Sequence, residues 1–319
     1  MKELNFELLK QMYCIHSKSM EEENMRIFIK EWISENVKYA TVSEDIHGNL
    51  YVIKGISESY PCLCAHMDQV QDFHPDDFMC IDDGGIIAGL SPNARRQCGL
   101  GADDKNGLFI ALSCLQKYEV LKCAFFVGEE VGCTGSSNAD MDFFKNCRFC
   151  VQIDRKGNSD MVTSISGDIC SDDFITAADC EKWGYNISDG FMTDVEALSE
   201  NGVGISCINL SCGYYAPHTD YEFTSKQDVE KCYRFVCHLI EDCTDIYPFE
   251  AVHWSYFSDN YRMTDEDSFT WLVDGYLSDF PDVDFADIYD IHKNDYPRLK
   301  KKDMRKLFEQ EKEYYNFGN

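Results

Sequence analysis

Two adjacent glutamates, Glu129 and Glu130, follow an apolar run in the segment "AFFVGEEVGCTGS" of residues 124–136. The apolar run at 124–127 predicts a strand that is buried in the core. Two carboxylates side by side at the end of a buried strand are costly unless a cation or a proton balances their charge. The two glutamates are therefore candidates for chemistry, and other parts of the sequence must supply the positive charge.

Four further segments place histidine or acidic residues where an apolar strand ends or where a helix opens. They are "HMD" with His66 and Asp68, "GADDKNG" with Asp103 and Asp104, "QIDRKG" with Asp154, and "YYAPHTD" with His218. Two imidazoles and several carboxylates form a ligand set that suits divalent zinc. Together with the two glutamates, these segments predict a metal site.

The elements that hold these segments follow from the hydrophobic pattern. Residues 3–36, 105–117 and 225–243 have the spacing of amphipathic helices, with Ser225 as an N-cap. Strands are predicted for the segments "YPCLCAHMD", "LKCAFFVGEE", "CRFCVQIDRKG" and "GVGISCINLS", and a short hairpin for "IDDGGIIAGL".

Because strands and helices alternate and several strands are apolar throughout, we predict an α/β fold. Its architecture is a three-layer sandwich, in which a mixed, mostly parallel central sheet is covered by helices on both faces. Ligands of such sheets bind at the carboxyl ends of the strands. His66, Glu130 and Asp154 stand at those ends in the sequence.

The ordered set of segments resembles the co-catalytic di-zinc exopeptidases, a group that holds peptidase T, the compact bacterial leucyl-type aminopeptidases and the acyl-amino-acid deacylases. "GADDKNG" and "GEEVG" are similar to peptidase T, and "MTDVEALSENGVGISCINLSCGYYAPHTDYE" is similar to the last part of the compact aminopeptidases. The resemblance covers residues 1–245 and implies the phosphorylase/hydrolase-like architecture of the zinc exopeptidases.

Carried over residue by residue, the resemblance implies two divalent metal ions that are bridged by Asp103. His66 and Asp154 would complete one metal site, and Glu130 and His218 would complete the other. Zinc is the expected metal, although cobalt and manganese can share such sites.

The resemblance also implies roles for residues that do not bind metal. Glu129 would be the general base, and Asp68 would hold the His66 ring through its second nitrogen. A cis peptide bond is expected between Asp103 and Asp104.

Five further residues are weaker candidates for the site. Tyr214 or Tyr215 could donate a hydrogen bond to the oxyanion, and Asp194 matches a family position with a supporting role. Arg155 and Lys156 could bind a substrate carboxylate. Simple packing of the tyrosines and surface charge at the two basic residues are the alternatives.

Domain organisation departs from some of these relatives. The intervals 154–218 and 66–103 are too short for the lid or the barrel that other branches insert. We therefore predict a catalytic domain at 1–245 without an inserted lid. Residues 246–319, which are rich in aspartate and aromatic residues, are expected to form an extension that packs on it and could mediate a homo-oligomer.

Composition limits the partners. The chain of 319 residues has 29 basic and 57 acidic side chains, a formal net charge of -28 that repels nucleic acid and anionic membranes. No signal sequence or spanning segment is recognisable, so we expect the 17 cysteines to be reduced in a cytoplasm, mostly as small apolar fillers. Cys147 and Cys150 form a C-x-x-C, which is a weak zinc signal without a second pair.

The leading functional interpretation is a zinc aminopeptidase that removes N-terminal residues from short peptides with a metal-activated water and a glutamate base. Three alternatives stay open: an amidohydrolase that deacylates N-acyl amino acids, a cyclase with a single metal, and a catalytically silent scaffold.

Overall fold

The computed structural model describes residues 4–251 and, further along the chain, residues 266, 269–270, 272–273, 276–277, 283–293, 296 and 298–318. The chain divides into two compact units, Met1–Val252 and His253–Asn319. The second unit begins close to where the composition of the sequence changes.

The first unit contains thirteen strands. In chain order they are β1 Ala40–Glu44, β2 Leu50–Lys54, β3 Tyr60–His66, β4 Met79–Asp82, β5 Ile86–Ser91, β6 Arg96–Cys98, β7 Leu121–Phe126, β8 Cys147–Arg155, β9 Asp160–Ser164, β10 Asn186–Asp189, β11 Cys207–Ser211, β12 Tyr214–Tyr215 and β13 Phe223–Ser225.

Eight of these strands form the central sheet, in the order β1-β2-β7-β3-β8-β11-β9-β10. The pairs β7–β3, β3–β8, β8–β11 and β9–β10 are parallel, and the remaining three pairs are antiparallel. The central strands β3 and β7 are buried along their whole length, as expected for strands that are covered on both faces. This confirms the predicted mixed, mostly parallel sheet.

Helices cover both faces of this sheet. They are α1 Phe6–Tyr13, α2 Glu23–Asn36, α3 Ala102–Lys117, α4 Met141–Phe144, α5 Asp172–Ala178, α6 Asp194–Glu200 and α7 Lys226–Asp242. Alternate residues of β3 belong to two different apolar clusters: Leu63 and Ala65 pack with α1, α2, α3, α5 and α7, whereas Cys62 and Cys64 pack with α4 and α6. The predicted three-layer sandwich is therefore confirmed.

Local sequence signals place the last helix of this unit. The Ser225 hydroxyl accepts a hydrogen bond from the Asp228 N–H at 3.4 Å, which caps α7 as the sequence predicts. The buried residues Val229, Cys232 and Val236 recur on one side of the helix, and this side faces the core.

A second, smaller sheet has the order β12-β13-β5-β4, with β6 paired to β5. The predicted hairpin is the β4–β5 pair of this sheet. Its partners β12 and β13 come from far along the chain, and the turn between them contains His218. The second sheet therefore brings the last predicted ligand back to the central sheet.

The second unit is helical where the structure describes it. It contains α8 Phe285–His292 and α9 Lys301–Gly318 and has its own apolar cluster, which includes Ile288, Met304 and Phe308. That residues 246–319 pack on the first unit stays a prediction, and parts of this segment lie outside the described residues. In the described part of the chain, no helix has the length and the apolar character that crossing a bilayer requires.

Candidate metal centre

Two neighbouring strands present the first pair of predicted ligands. His66 is the last residue of β3, and Asp154 stands near the end of β8, which pairs with β3 in parallel. The His66 Nε2 atom lies 3.6 Å from Asp154 Oδ1. Asn209 on β11 fixes the backbone of Asp154, because its side chain accepts from the Asp154 N–H at 2.9 Å and donates to the Asp154 carbonyl at 2.7 Å.

The turn that opens α3 brings Asp103 between the two histidines. Asp103 Oδ1 is 3.0 Å from His66 Nε2, and Asp103 Oδ2 is 3.3 Å from His218 Nε2. The peptide bond between Asp103 and Asp104 is cis, as the resemblance implied. The Asp104 carboxylate points into the protein, where it accepts the N–H groups of His66 and Gly107.

The glycines of "GADDKNG" are required by this turn. Gly101 has a φ of +62°, in the left-handed region, and a Cβ there would lie 2.8 Å from the Gln69 side chain. At Gly107 a Cβ would lie 2.4 Å from the carbonyl oxygen of Ile153 on β8. The motif therefore allows α3 to approach the sheet closely enough to place Asp103 beside His66.

The loop after β7 supplies the remaining pair of acids. Glu130 Oε2 is 3.1 Å from His218 Nε2. The other carboxylate oxygen of Glu130 is buried and has no hydrogen-bond partner, as expected of an oxygen that is placed to bind a cation. The His218 side chain remains 32% exposed, so this side of the site faces solvent.

The five predicted ligands therefore form two groups that share one residue. His66, Asp103 and Asp154 bring one ligand atom each to within 4.8 Å of one another, and so do Asp103, Glu130 and His218. Asp103 is common to both groups. Nitrogen and oxygen donors in sets of three suit zinc and related divalent metals, so the residues present fit two ions.

The electrostatics of the site also favour a cation. Burial raises the pKa of Glu129 well above its ordinary value, and the charges of Asp154 and Glu130 add to this against the charge of His66. Burial and the nearby charge of Asp103 likewise raise the pKa of Asp154. The raised pKa values favour the protonated acids, and a nearby positive charge would favour the ionised ones.

Asp68 lies beside the first histidine and binds the backbone of the two glutamates. It accepts the N–H of Glu129 at 3.1 Å, the N–H of Glu130 at 3.2 Å and the Ser19 hydroxyl at 2.7 Å. Its Oδ1 atom is 3.3 Å from His66 Nδ1, although the two groups are not aligned as a full hydrogen bond. Glu129 Oε2 is 4.0 Å from His66 Nε2, so the predicted base lies against the ligand set.

The structure places the weaker candidates in different surroundings. The Tyr214 hydroxyl donates to Asp154 Oδ1 at 3.2 Å, so Tyr214 is brought to the ligands. The Tyr215 hydroxyl instead donates to Asp228 at 2.7 Å, and Arg155 Nε lies 3.5 Å from Asp160.

The remaining weak candidates lie on either side of β8. Lys156 and Tyr215 line a cavity of about 330 Å³ together with residues 157–160 and Ala216. Asp194 is buried, where it accepts from Ser136 at 2.6 Å and from Gln152 at 3.1 Å. Because Gln152 also donates to Asp154 at 3.2 Å, Asp194 is linked to the ligand set through one intervening side chain.

One buried carboxylate of the site, Glu222, is not predicted by the sequence analysis. Its two oxygens accept the N–H groups of Gly101, Ala102 and Asp103 at 2.7, 3.0 and 3.2 Å, which holds the turn that presents Asp103. Glu222 follows His218 by four residues. This spacing does not distinguish Glu222 from the other acids, because the chain has 57 of them. Its role appears only when the second sheet is assembled.

We expect the Glu222→Gln variant to be less stable than the wild type by about 1–3 kcal/mol, because an amide offers one acceptor oxygen to three buried N–H groups. Urea denaturation measures the change in the free energy of unfolding. Glu230→Gln, at a half-exposed glutamate on α7, is the matched control and should change it little. Equal stability of Glu222→Gln and the wild type would contradict this role.

Comparison with known proteins concerns the fold. No protein-family model and no curated protein sequence matches the chain. Among solved structures, aminopeptidase PepT from Bacillus cereus is similar, with a TM-score of 0.60 and 14% identity over 74% of this chain and 97% of that chain. A tripeptidase from Staphylococcus aureus has a TM-score of 0.59 and 15% identity over 75% and 97% of the two chains.

The TET1 peptidase from Pyrococcus horikoshii, described as assembling into a tetrahedron or a large octahedral shell, has a TM-score of 0.54 and 19% identity over 74% of this chain and 98% of that chain. In all three comparisons the similarity spans nearly the whole of the other chain at low identity. The chain therefore has the fold of these aminopeptidases, as the resemblance of its motifs implied.

Proposed function

We propose that this protein is a metal-dependent aminopeptidase that removes N-terminal residues from short peptides. The observation that carries the proposal is the pair of three-residue ligand groups that share Asp103. The Asp103 carboxylate has one oxygen near each histidine, so it would contact an ion in either group. The shared fold with peptidases supports the choice of a peptide as substrate.

One ion would be held by His66, Asp103 and Asp154, and the other by Asp103, Glu130 and His218. When bound, such ions would supply Lewis acidity, which would make a water at the site more acidic and polarise the carbonyl of the substrate. We propose zinc, and cobalt or manganese can occupy such ligand sets.

Glu129 is the proposed general base. It accepts the proton of the attacking water and then donates it to the leaving amine, so it returns to its starting state. Its backbone N–H is anchored on Asp68, which keeps it beside the ligands. The charge of two divalent ions would exceed that of the ligand carboxylates Asp103, Glu130 and Asp154, so Glu129 can be ionised there.

The remaining residues support this arrangement. Asp68 anchors the backbone of Glu129 and Glu130, and Tyr214 positions Asp154 through its hydroxyl. That Asp68 holds the His66 ring stays a prediction. An oxyanion contact from Tyr214 stays a prediction, as do a supporting role for Asp194 through Gln152 and binding of a substrate carboxylate by Arg155 or Lys156. A cytoplasmic location and a homo-oligomer that is formed through the C-terminal segment also stay predictions.

The direct test is mass spectrometry of a mixed pool of peptides and N-acyl amino acids that is incubated with the zinc- or cobalt-loaded protein. Stepwise loss of N-terminal residues supports the proposal and gives the preferred peptide length. Release of acyl groups alone would make the protein a deacylase. If a protein that is shown to hold its metals cleaves nothing, the proposed function is wrong.

Removal of the metals should destabilise the fold. A ligand that binds only the native state at 100 times its Kd stabilises it by about 2.7 kcal/mol, so we expect chelation to lower the free energy of unfolding by at least this amount. Denaturation before and after dialysis against a chelator measures the loss, and added zinc should reverse it. A chelator-treated protein that contains no metal and has unchanged stability would contradict this expectation.

The metal-free protein should also depend on pH differently from the loaded one. The folded-state pKa values of Glu129 and Asp154 are raised, so protonation stabilises the fold at low pH. This stabilisation is lost as the pH rises from about 4.5, the ordinary value for Glu129, through the raised values. We expect the metal-free protein to lose stability over this range, whereas the loaded protein loses less because the ions replace the protons.

A further inference from the structure

A second group of metal-binding atoms lies on the face of the central sheet that α4 and α6 cover. The Sγ atoms of Cys62, Cys64 and Cys150 lie within 4.8 Å of one another, and all three side chains are fully buried. The register of the sheet explains the grouping, because Cys62 on β3 stands directly beside Cys150 on β8. Cys64 follows Cys62 by two residues and therefore points to the same face.

Cys147, on the same strand as Cys150, supplies a fourth buried thiol outside the set of three. It is the first residue of β8, is 1% exposed and belongs to the same apolar cluster as the other three cysteines. A C-x-x-C on one strand thus meets a C-x-C on the neighbouring strand. This supplies the second pair that the sequence motif alone lacks, and four thiolates form a common ligand set of structural zinc.

A buried cation lies close to these thiols. The Lys122 side chain is about 5% exposed, and its ammonium donates to three neutral oxygens: the carbonyls of Phe143 and Lys145 at 2.5 and 3.2 Å and the side chain of Asn146 at 3.0 Å. A buried positive charge favours a negative group nearby. Lys122 on β7 stands directly beside Cys62 in the register of β3 and β7.

The charges also indicate which ion the group would hold. Thiolates are the ligands that zinc and monovalent copper prefer. With Cys147 included, the four thiolates carry four negative charges, of which one Zn²⁺ and the Lys122 ammonium together balance three. Monovalent copper would balance one charge fewer and leave two uncompensated negative charges inside the protein, which is more costly.

We propose that Cys62, Cys64 and Cys150 bind one zinc ion, with Cys147 as the fourth ligand. The site would be structural, since a closed set of four thiolates leaves no position for a substrate. It would join β3 to β8 a short distance before His66 and Asp154, the two ligands that these strands present at their ends. The ion would therefore fix the spacing of one half of the candidate catalytic centre.

Cobalt substitution tests this proposal with a signal that the catalytic ligands do not give. Cobalt bound to thiolates has an intense sulfur-to-metal charge-transfer band in the near ultraviolet, which imidazole and carboxylate ligands do not produce. The full chain is produced in zinc-poor medium with added cobalt. We expect this band in the wild type, together with a bound cobalt that is lost from Cys62→Ala and from Cys150→Ala.

Cys123→Ala is the matched control, because Cys123 is also fully buried in the central sheet but belongs to the opposite apolar cluster. It should keep the charge-transfer band. A band that persists in both Cys62→Ala and Cys150→Ala would overturn the proposal.

The wild type alone can also decide the question if a variant fails to fold. X-ray absorption of the zinc-loaded wild type should show zinc–sulfur scattering, and its absence, or a cobalt protein without the band, would overturn the proposal. The charge-transfer band and the zinc–sulfur scattering report on the cysteine ligands and not on peptide hydrolysis, so this result and a failure of the proposed aminopeptidase activity are distinguishable.

Discussion

We expect the Glu129→Gln variant to hydrolyse peptides about 10²–10⁴ times more slowly than the wild type, while it binds the same number of metal ions. Proton transfer by a positioned side chain contributes a factor of this size, and an amide cannot accept the proton of the attacking water. Glutamine keeps the size of the side chain and the backbone hydrogen bond to Asp68. Initial rates of peptide cleavage and metal content per chain measure the two effects.

The neighbouring glutamate, Glu130, provides the most informative comparison with Glu129. Glu130→Gln should lose affinity for the metal that His218 also holds, so its activity should fall together with its metal content. Glu196→Gln is the matched control, since burial also raises the pKa of Glu196, to about 7, but its carboxylate accepts from Ser166 on the surface. Near wild-type activity of Glu129→Gln, with its metals bound, would exclude Glu129 as the base.

The second large effect is expected at the shared ligand. We predict that Asp103→Asn loses at least one of two metals, because an amide presents one oxygen and one nitrogen where the carboxylate presents an oxygen to each histidine. Activity should fall by more than about 100-fold, the upper end of the effect of residues that only support a ligand. Metal analysis after gel filtration and cleavage rates test this prediction.

Asp160→Asn is a suitable control for the bridging aspartate. Asp160 begins β9 just beyond the end of β8, and its carboxylate lies near Arg155 rather than among the ligands. This variant should keep its metals. If Asp103→Asn binds two ions as tightly as the wild type does, Asp103 does not bridge them.

The strand ends explain how much of the site is predictable from the sequence. His66, Glu130 and Asp154 each follow an apolar run that forms a central strand, so their meeting at one edge of the sheet follows from the fold class. Asp103 is identified by the glycines around it. In the structure, neighbouring atoms leave no room for a Cβ at Gly101 and Gly107. These signals lie within short segments of the sequence, so they can be recognised without the structure.

The parts that sequence reasoning missed depend on pairing between distant segments. The strands β12 and β13 have two and three residues, too few to show a periodic pattern, so the second sheet was predicted only as its β4–β5 hairpin. Glu222 depends on that sheet to reach the turn at Gly101. The meeting of Cys62 with Cys150 likewise depends on the register of two strands that lie far apart in the chain.

The most direct test of the central claim is an anomalous difference map from crystals of the zinc-loaded protein, with data collected at the zinc absorption edge. The account predicts two peaks about 3.5–4 Å apart, as in other two-metal sites. One peak should contact His66 and Asp154, the other Glu130 and His218, and both should contact Asp103. Whatever is found at the cysteine group, a single peak or two peaks that do not share Asp103 would contradict a two-metal centre.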